Sequence, residues 1–146
     1  MAKFNYRMQN ILDIKSKLET QAKNEYGIAN QKYLEEQGKL QELMVRRTVY
    51  DQKLKDLMSG SLNIKEISNA RNDVNNIKTM VRRQMMEVHK AEIVLEQKRN
   101  ELSERMKERK THEKLKEHAF DEFKVEIQTS ESKEVDELVS YTFSAK

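Results

Sequence analysis

The groups in this chain that could do chemistry are three histidines, His89, His112 and His118, and adjacent carboxylates such as Glu35-Glu36. Two histidines chelate a metal from one helix when they recur at i and i+4, because that spacing stacks them on one face. His112 and His118 are six apart and project from opposite sides, so they read as solvated helix histidines. Glu35-Glu36 reads as ordinary helix surface. The chain has no Gly-rich phosphate loop, no nucleophile elbow and no Cys. Lack of Cys also removes a disulfide framework and a thiolate metal site, and it fits a reducing compartment, here the cytoplasm. The expectation is no catalytic residue, no cofactor and no metal. Such a protein is not an enzyme and must act by being gripped.

The elements that carry these residues follow from composition. Of 146 residues 36% are charged, Pro is absent and Gly numbers only 3, which is the make-up of long helices. Apolar content of 36% is low for a shared globular core but suits a coil that buries one seam per helix. The apolar positions run Phe4, Met8, Ile11, Leu18, Ala22, Tyr26, Ala29, Tyr33, Leu40, Leu43, Tyr50, Leu54 and Leu57, with Lys15, Glu36 and Arg47 filling the gaps. These spacings of three and four are the heptad signature, with a stutter expected where Leu18, Ala22 and Tyr26 fall four apart. Farther on, Ile67, Val74, Val81, Val88, Leu95 and Leu102 recur every seventh residue, with Ala70, Ile77, Gln84, Ala91, Lys98 and Arg105 as the alternate set.

Between the two patterns lies Ser59-Gly60-Ser61, and Asn63 with Glu66 forms a capping-box-like helix start. The chain is expected to fold back here as an all-α, antiparallel two-helix coiled-coil hairpin, rod-like, with a C-terminal helical overhang. The expected boundaries are a single domain over 1–146, with helix 4–58, turn 59–62, helix 63–127 and a weakly ordered or partner-ordered tail at 128–146. This register sets Leu54 against Ile67, Leu40 against Val81, Tyr26 against Leu95 and Leu18 against Leu102. At about 1.5 Å per residue the first helix would be on the order of 80 Å long, and Phe4 would lie near Glu117, leaving the rest of the second helix unpartnered. The stretch from Arg105 to His118 is expected to pack poorly. Gln128-Thr-Ser-Glu-Ser-Lys133 reads as a break.

The net charge is +3, but Lys and Arg alternate with Glu and Asp throughout, so no nucleic-acid surface is expected. No stretch approaches the roughly 18 consecutive apolar residues of a membrane span, and no signal peptide is visible. Off-seam apolar residues are more informative, because an isolated coil keeps its outer positions polar. Val45, Val49 and Tyr50, with Ile77 and Met80 opposite, form the expected apolar patch, and Met86 and Ile93 also lie off the seam.

The opening Ala2-Lys-Phe-Asn-Tyr-Arg-Met-Gln-Asn-Ile-Leu-Asp-Ile-Lys15, the block Gln21-Ala-Lys-Asn-Glu-Tyr26 and the closing Lys133-Glu-Val-Asp-Glu-Leu138 resemble the FliJ family of bacterial flagellar type III export proteins, in its Gram-positive form. The resemblance implies an antiparallel coil similar to the central stalk of rotary ATPases. It implies that both chain ends enter the hexameric flagellar export ATPase and promote its assembly and activity, through Phe4, Met8, Ile11, Phe120, Phe123 and Ile127. It further implies contact with the cytoplasmic domain of the export-gate membrane protein through Leu43, Tyr50 and Ile77, and possible handling of export chaperones. The second-helix aromatic that such a gate contact would place close to Asp73 is missing. The protein would then be a monomeric rod, cytoplasmic, not inserted in the membrane but peripheral to its cytoplasmic face at the flagellar base. Rival readings are the stalk of a virulence type III secretion system and a coiled-coil scaffold that homodimerises through the Val45 to Met86 patch.

Overall fold

The computed structural model describes residues 3–60 and 63–144, and over these the chain forms two α-helices, α1 (Gln9–Ser59) and α2 (Ile64–Ser144). No strand occurs among the described residues. The helices pack as two compact units, one of residues 22–102 and one of residues 3–21 with 103–144. In the first, Glu25 meets Lys98 and Glu36 meets Gln84; in the second, Phe4 meets Phe120 and Lys15 meets Glu108. Advancing along α1 retreats along α2 in both units, so the expected antiparallel helical hairpin is the observed fold.

The start of α2 is set by Asn63. Its Oδ1 accepts the backbone N–H groups of Lys65 at 3.1 Å and Glu66 at 3.4 Å, and its carbonyl accepts that of Ile67 at 3.0 Å. These are donors that a helix N-terminus otherwise leaves unpaired. The turn expected at 59–62 includes Ser61 and Leu62, which lie outside the described residues. Gly60, the glycine in that stretch, has an ordinary φ.

Each terminal boundary departs from expectation for a reason. The first helix begins at Gln9, not Phe4: Met8 and Tyr6 close the first turn with their carbonyls, and residues 3–6 are irregular. A residue outside a helix advances the chain about twice as far as one inside it, so Phe4 reaches past Glu117 to Phe120 and Phe123. The partnered length of α2 therefore extends to Ile127, the last residue with partial burial. Beyond it α2 runs through residues 128–133 without the expected break. No Pro or Gly stands there to interrupt the backbone hydrogen bonds.

Burial follows the sevenfold spacing closely. Ala70, Val74, Ile77, Val81, Ala91 and Leu95 are the buried residues of α2, and Leu12, Ala22 and Ala29 are the buried apolar ones of α1. The expected stutter is absent. Leu12, Glu19, Tyr26 and Tyr33 fall seven apart, and Glu19 is buried while Leu18 is only half-buried. An apolar-only reading steps onto Leu18 and skips the carboxylate that keeps the heptad continuous. Similarly Leu12 is buried where Ile11 was expected to lead, and Met8 stays largely exposed.

Ile77, 1% exposed, is the most deeply buried large side chain. Removing its branched carbons should leave a hole that a narrow seam cannot close. Ile77→Ala is expected to lower unfolding free energy by about 2–4 kcal/mol, whereas Ile28→Ala, on an exposed position, should change it by less than about 0.5 kcal/mol. Urea denaturation followed by circular dichroism measures both.

Candidate functional site

Two kinds of side-chain assembly are built on this seam, an aromatic cluster joining the two terminal segments and a series of buried polar contacts. The cluster belongs to the unit of residues 3–21 and 103–144. Phe4, on the irregular N-terminal segment, meets Phe120 edge-on at 5.0 Å between ring centres and Phe123 at 5.3 Å in a tilted arrangement. Phe120 and Phe123 are three apart on α2 and so present their rings to the same side. Such offset contacts contribute about 0.5–1.5 kcal/mol each beyond the apolar area they bury. The Lys124 ammonium lies 4.6 Å over the Phe120 ring. A shallow groove beside the cluster is lined by Phe4, Leu12, Glu113, Lys116, Glu117 and Phe120.

Of the six residues expected to face the ATPase, the structure thus brings three into contact. Ile11 and Ile127 are half-buried and Met8 is exposed. Past Ile127 every described residue of α2 is exposed, including Val135, Leu138, Val139, Tyr141 and Phe143. These apolar side chains share the helix with Glu131, Glu134, Asp136 and Glu137.

The segment expected to pack poorly is instead cross-linked by charge. Arg109 pairs with the buried Glu19 across the seam and with Glu113 one turn along α2 at 2.8 Å. Glu108 accepts Lys15 at 3.3 Å from α1 and Arg105 at 3.2 Å from α2. Hydrogen bonds from Arg105 first, and then Lys15, hold the Glu108 carboxyl below the usual range. His112 lies in this segment, half-buried, and its Nδ1 is buried without a hydrogen-bond partner. It is therefore not the solvated histidine that its sequence context suggests, unlike the exposed His89 and His118. Leu12 and Glu19 were missed by the apolar pattern, although the sevenfold spacing back from Tyr26 points to both.

In the unit of residues 22–102 the polar seam position is Glu36. Its carboxylate accepts Lys32 at 2.8 Å and Lys39 at 3.4 Å from its own helix, and Gln84 Nε2 from α2. The same Gln84 nitrogen donates to the Glu36 carbonyl oxygen at 2.9 Å. The alignment that sets Leu40 against Val81 also sets Glu36 beside Gln84, so the register expected from the heptads is the one these bonds hold. Lys98 bridges Glu25 at 3.2 Å, and the neighbouring Tyr26 hydroxyl raises the pKa of the Arg99 guanidinium.

The expected gate-contact residues sit differently. Leu43 and Tyr50 are half-buried seam residues, and Ile77 is fully buried, so it can present nothing to a partner while the seam is closed. Exposed apolar surface in this unit includes Val45 (60% exposed), Val49 (59%) and Met80 (42%), together with Met86 and Ile93. No cluster of three His, Cys, Asp or Glu suited to a metal occurs among the described residues, and no helix there is long and apolar enough to cross a membrane.

Compared with known proteins, residues 4–146 match a family model described as Flagellar FliJ protein. No curated protein and no solved structure matches the chain.

The Glu36 contacts carry a pH signature. Bonds from Lys32 and then Gln84 hold its pKa down, from an ordinary 4.5 to about 2, against the desolvation that pushes it up. A depressed folded-state pKa contributes stability that is present above the unfolded value and is lost as the carboxylate takes up its proton. The stability difference between the wild-type chain and Glu36→Gln should therefore be full above about pH 5 and shrink as pH falls toward 2. Denaturation midpoints of the two proteins across that range measure it.

Proposed function

The chain belongs to the flagellar FliJ family, and from that premise we propose that it is a non-enzymatic stalk and coupling factor of the flagellar type III export apparatus. Its two terminal segments insert into the ring of the export ATPase hexamer and promote ring assembly and ATP hydrolysis. The observation that carries this reading is the aromatic cluster: Phe4 on Phe120 and Phe123 makes the N-terminal segment and distal α2 one element with two chain ends in it. A pair of ends joined in this way can enter a central hole together.

Energetics support the same reading. Phe120 remains 38% exposed, Met8 46%, and the tail side chains Leu138, Tyr141 and Phe143 at least 66%. Burying an apolar side chain of this size contributes about 1.5–3 kcal/mol, so a few of them anchor an end. Exposed ion pairs around them add less than about 1 kcal/mol each and break readily. An anchor of apolar contacts inside a rim of exchangeable charges suits a contact that is remade as the ATPase turns over.

Contact with the cytoplasmic domain of the export-gate protein is assigned to the half-buried Leu43 and Tyr50, with the buried Ile77 holding the seam of the same unit. That contact would tie hydrolysis to export, and binding of export chaperones belongs to the same role. It places the protein at the cytoplasmic face of the membrane, at the flagellar base. A flagellar family match favours this over a virulence-system stalk.

Mixing the purified chain with the flagellar export ATPase is expected to raise steady-state hydrolysis severalfold and to increase the hexamer fraction. Phe120→Ala with Phe123→Ala should abolish most of that effect while circular dichroism stays helical. An unchanged rate and unchanged oligomerisation with the wild-type chain would overturn the proposal.

A further inference from the structure

Past Ile127 the spacing that built the seam brings no apolar residue to it. The sevenfold row through Lys116 and Phe123 continues as Ser130, Glu137 and Ser144, and the row through Ala119 continues as Glu126, Lys133 and Ser140. A second helix could not be coiled along these rows, because a coil needs apolar residues there. The apolar residues of this stretch stand elsewhere. Val135, Leu138 and Val139, with Thr142, fall within about 100° of arc on the helix, and Tyr141 and Phe143 border that arc on its two sides. All five apolar side chains are more than half exposed, from Val139 at 56% to Phe143 at 82%.

Charge decides what can cover this stripe. Glu131 precedes it by one turn, Glu134 lies on its Tyr141 side and Asp136 on its Phe143 side. With Glu137, and Lys133 as the one cation, these carboxylates give residues 128–144 a net charge of −3 in a chain whose total is +3. The last ion pair along α2 is that of His118 with Glu122, so none of the four carboxylates meets a cation among the described residues. A shallow hollow lined by Glu134, Glu137, Leu138 and Tyr141 sets two of them directly beside two apolar side chains. An anionic lipid surface would repel such a helix. A protein groove with an apolar floor and Lys or Arg along its rims matches both features, which is recognition of a helix by anchors three and four residues apart.

We propose that the stripe of Val135, Leu138, Val139 and Thr142 docks in an apolar groove with a basic rim on the export ATPase, as a contact separate from the aromatic cluster. The identity of that partner rests on the stalk reading. Phe123 precedes Val135 by about 18 Å along α2, so a body that receives the cluster lies within reach of the stripe. The two contacts have different tasks. The cluster holds together the element that acts on the ring, while the stripe adds affinity and its carboxylates make that affinity sensitive to salt.

The chain has no Cys, so a fluorophore on Asn76→Cys, an exposed position in the unit of residues 22–102, reports binding of the full protein to the purified export ATPase by anisotropy. Val135→Gln, Leu138→Gln and Val139→Gln together keep good helix formers on α2. They are expected to weaken binding about tenfold or more and to leave the ATPase rate at saturating chain unchanged. Ser130→Gln, Ser140→Gln and Ser144→Gln, on the polar rows, should alter binding by less than about twofold. Glu131→Gln, Glu134→Gln, Asp136→Asn and Glu137→Gln together should weaken binding at about 0.05 M salt and abolish the further loss that the unmodified chain shows at about 0.3 M. Stripe variants that bind as the unmodified chain does, a saturated rate that falls with the stripe, polar-row variants that weaken binding equally, or a neutralised tail that binds as tightly at low salt would each overturn this proposal and leave the stalk reading standing. A mass of the chain alone that rises with concentration, but not in the stripe variant, would assign the stripe to a second copy and overturn it as well. No binding of the unmodified chain to the ATPase would overturn both.

Discussion

A carboxylate can enter a seam only two helices wide when donors meet it there, and this constraint governs both buried carboxylates among the described residues, Glu19 and Glu36. There is no third layer to thicken the core, so the buried apolar set is small: alanines, β-branched residues and the leucines Leu12 and Leu95, with Ile77 as its one deeply buried large side chain among the described residues. Where the heptad nonetheless brings a carboxylate inward, the structure supplies the donors. Glu36 receives Gln84, Lys32 and Lys39; Glu19 receives Arg109. A buried carboxylate left without donors costs more than its pairing contributes, so these residues resist any slip that separates them. They tie register to chemistry, as a buried polar residue does in other coiled coils. The apolar residues drive the helices together and the polar ones decide how they are aligned.

The terminal unit obeys the same constraint and puts it to another use. From Arg105 onward the α2 seam positions are mostly polar, and the helices are joined by Lys15 with Glu108 and Glu19 with Arg109 before the aromatic cluster takes over at Phe4. Charge contacts of this kind are specific but individually weak, and they leave the apolar rings of Phe120 and Phe123 as the firm attachment of the N-terminal segment. On the proposed stalk reading this division has a mechanical sense, since an end that is gripped and released needs apolar surface to be held by and a polar neighbourhood that water can reclaim.

Outside the seam, the distribution of charge separates surfaces with different roles. Acidic and basic residues alternate over most of the hairpin and keep it solvated. The exposed apolar residues of α2 beyond Ile127, Val135, Leu138, Val139, Tyr141 and Phe143, interrupt that pattern and stand among carboxylates.

Much of this was legible in the residues alone. Sevenfold recurrence of Ile67, Val74, Val81 and Leu95 determined α2 and its inner face, Asn63 marked its first turn, and the absence of Pro made two long helices the only economical reading of the chain. The antiparallel register followed from the turn near Gly60, which sets Leu40 against Val81. What the sequence could not decide by itself was which polar residues are interior. Glu19 looks like any surface carboxylate until Arg109, ninety residues away, is brought across the seam, and Leu18 beside it looks like the better core residue. The same holds for His112, whose burial depends on α1, and for Phe4, whose reach depends on residues 3–6 leaving the helix. Local spacing specifies which face of a helix is apolar. Whether a charged side chain can enter that face is settled by a partner far along the chain, and that is decided only when the helices meet.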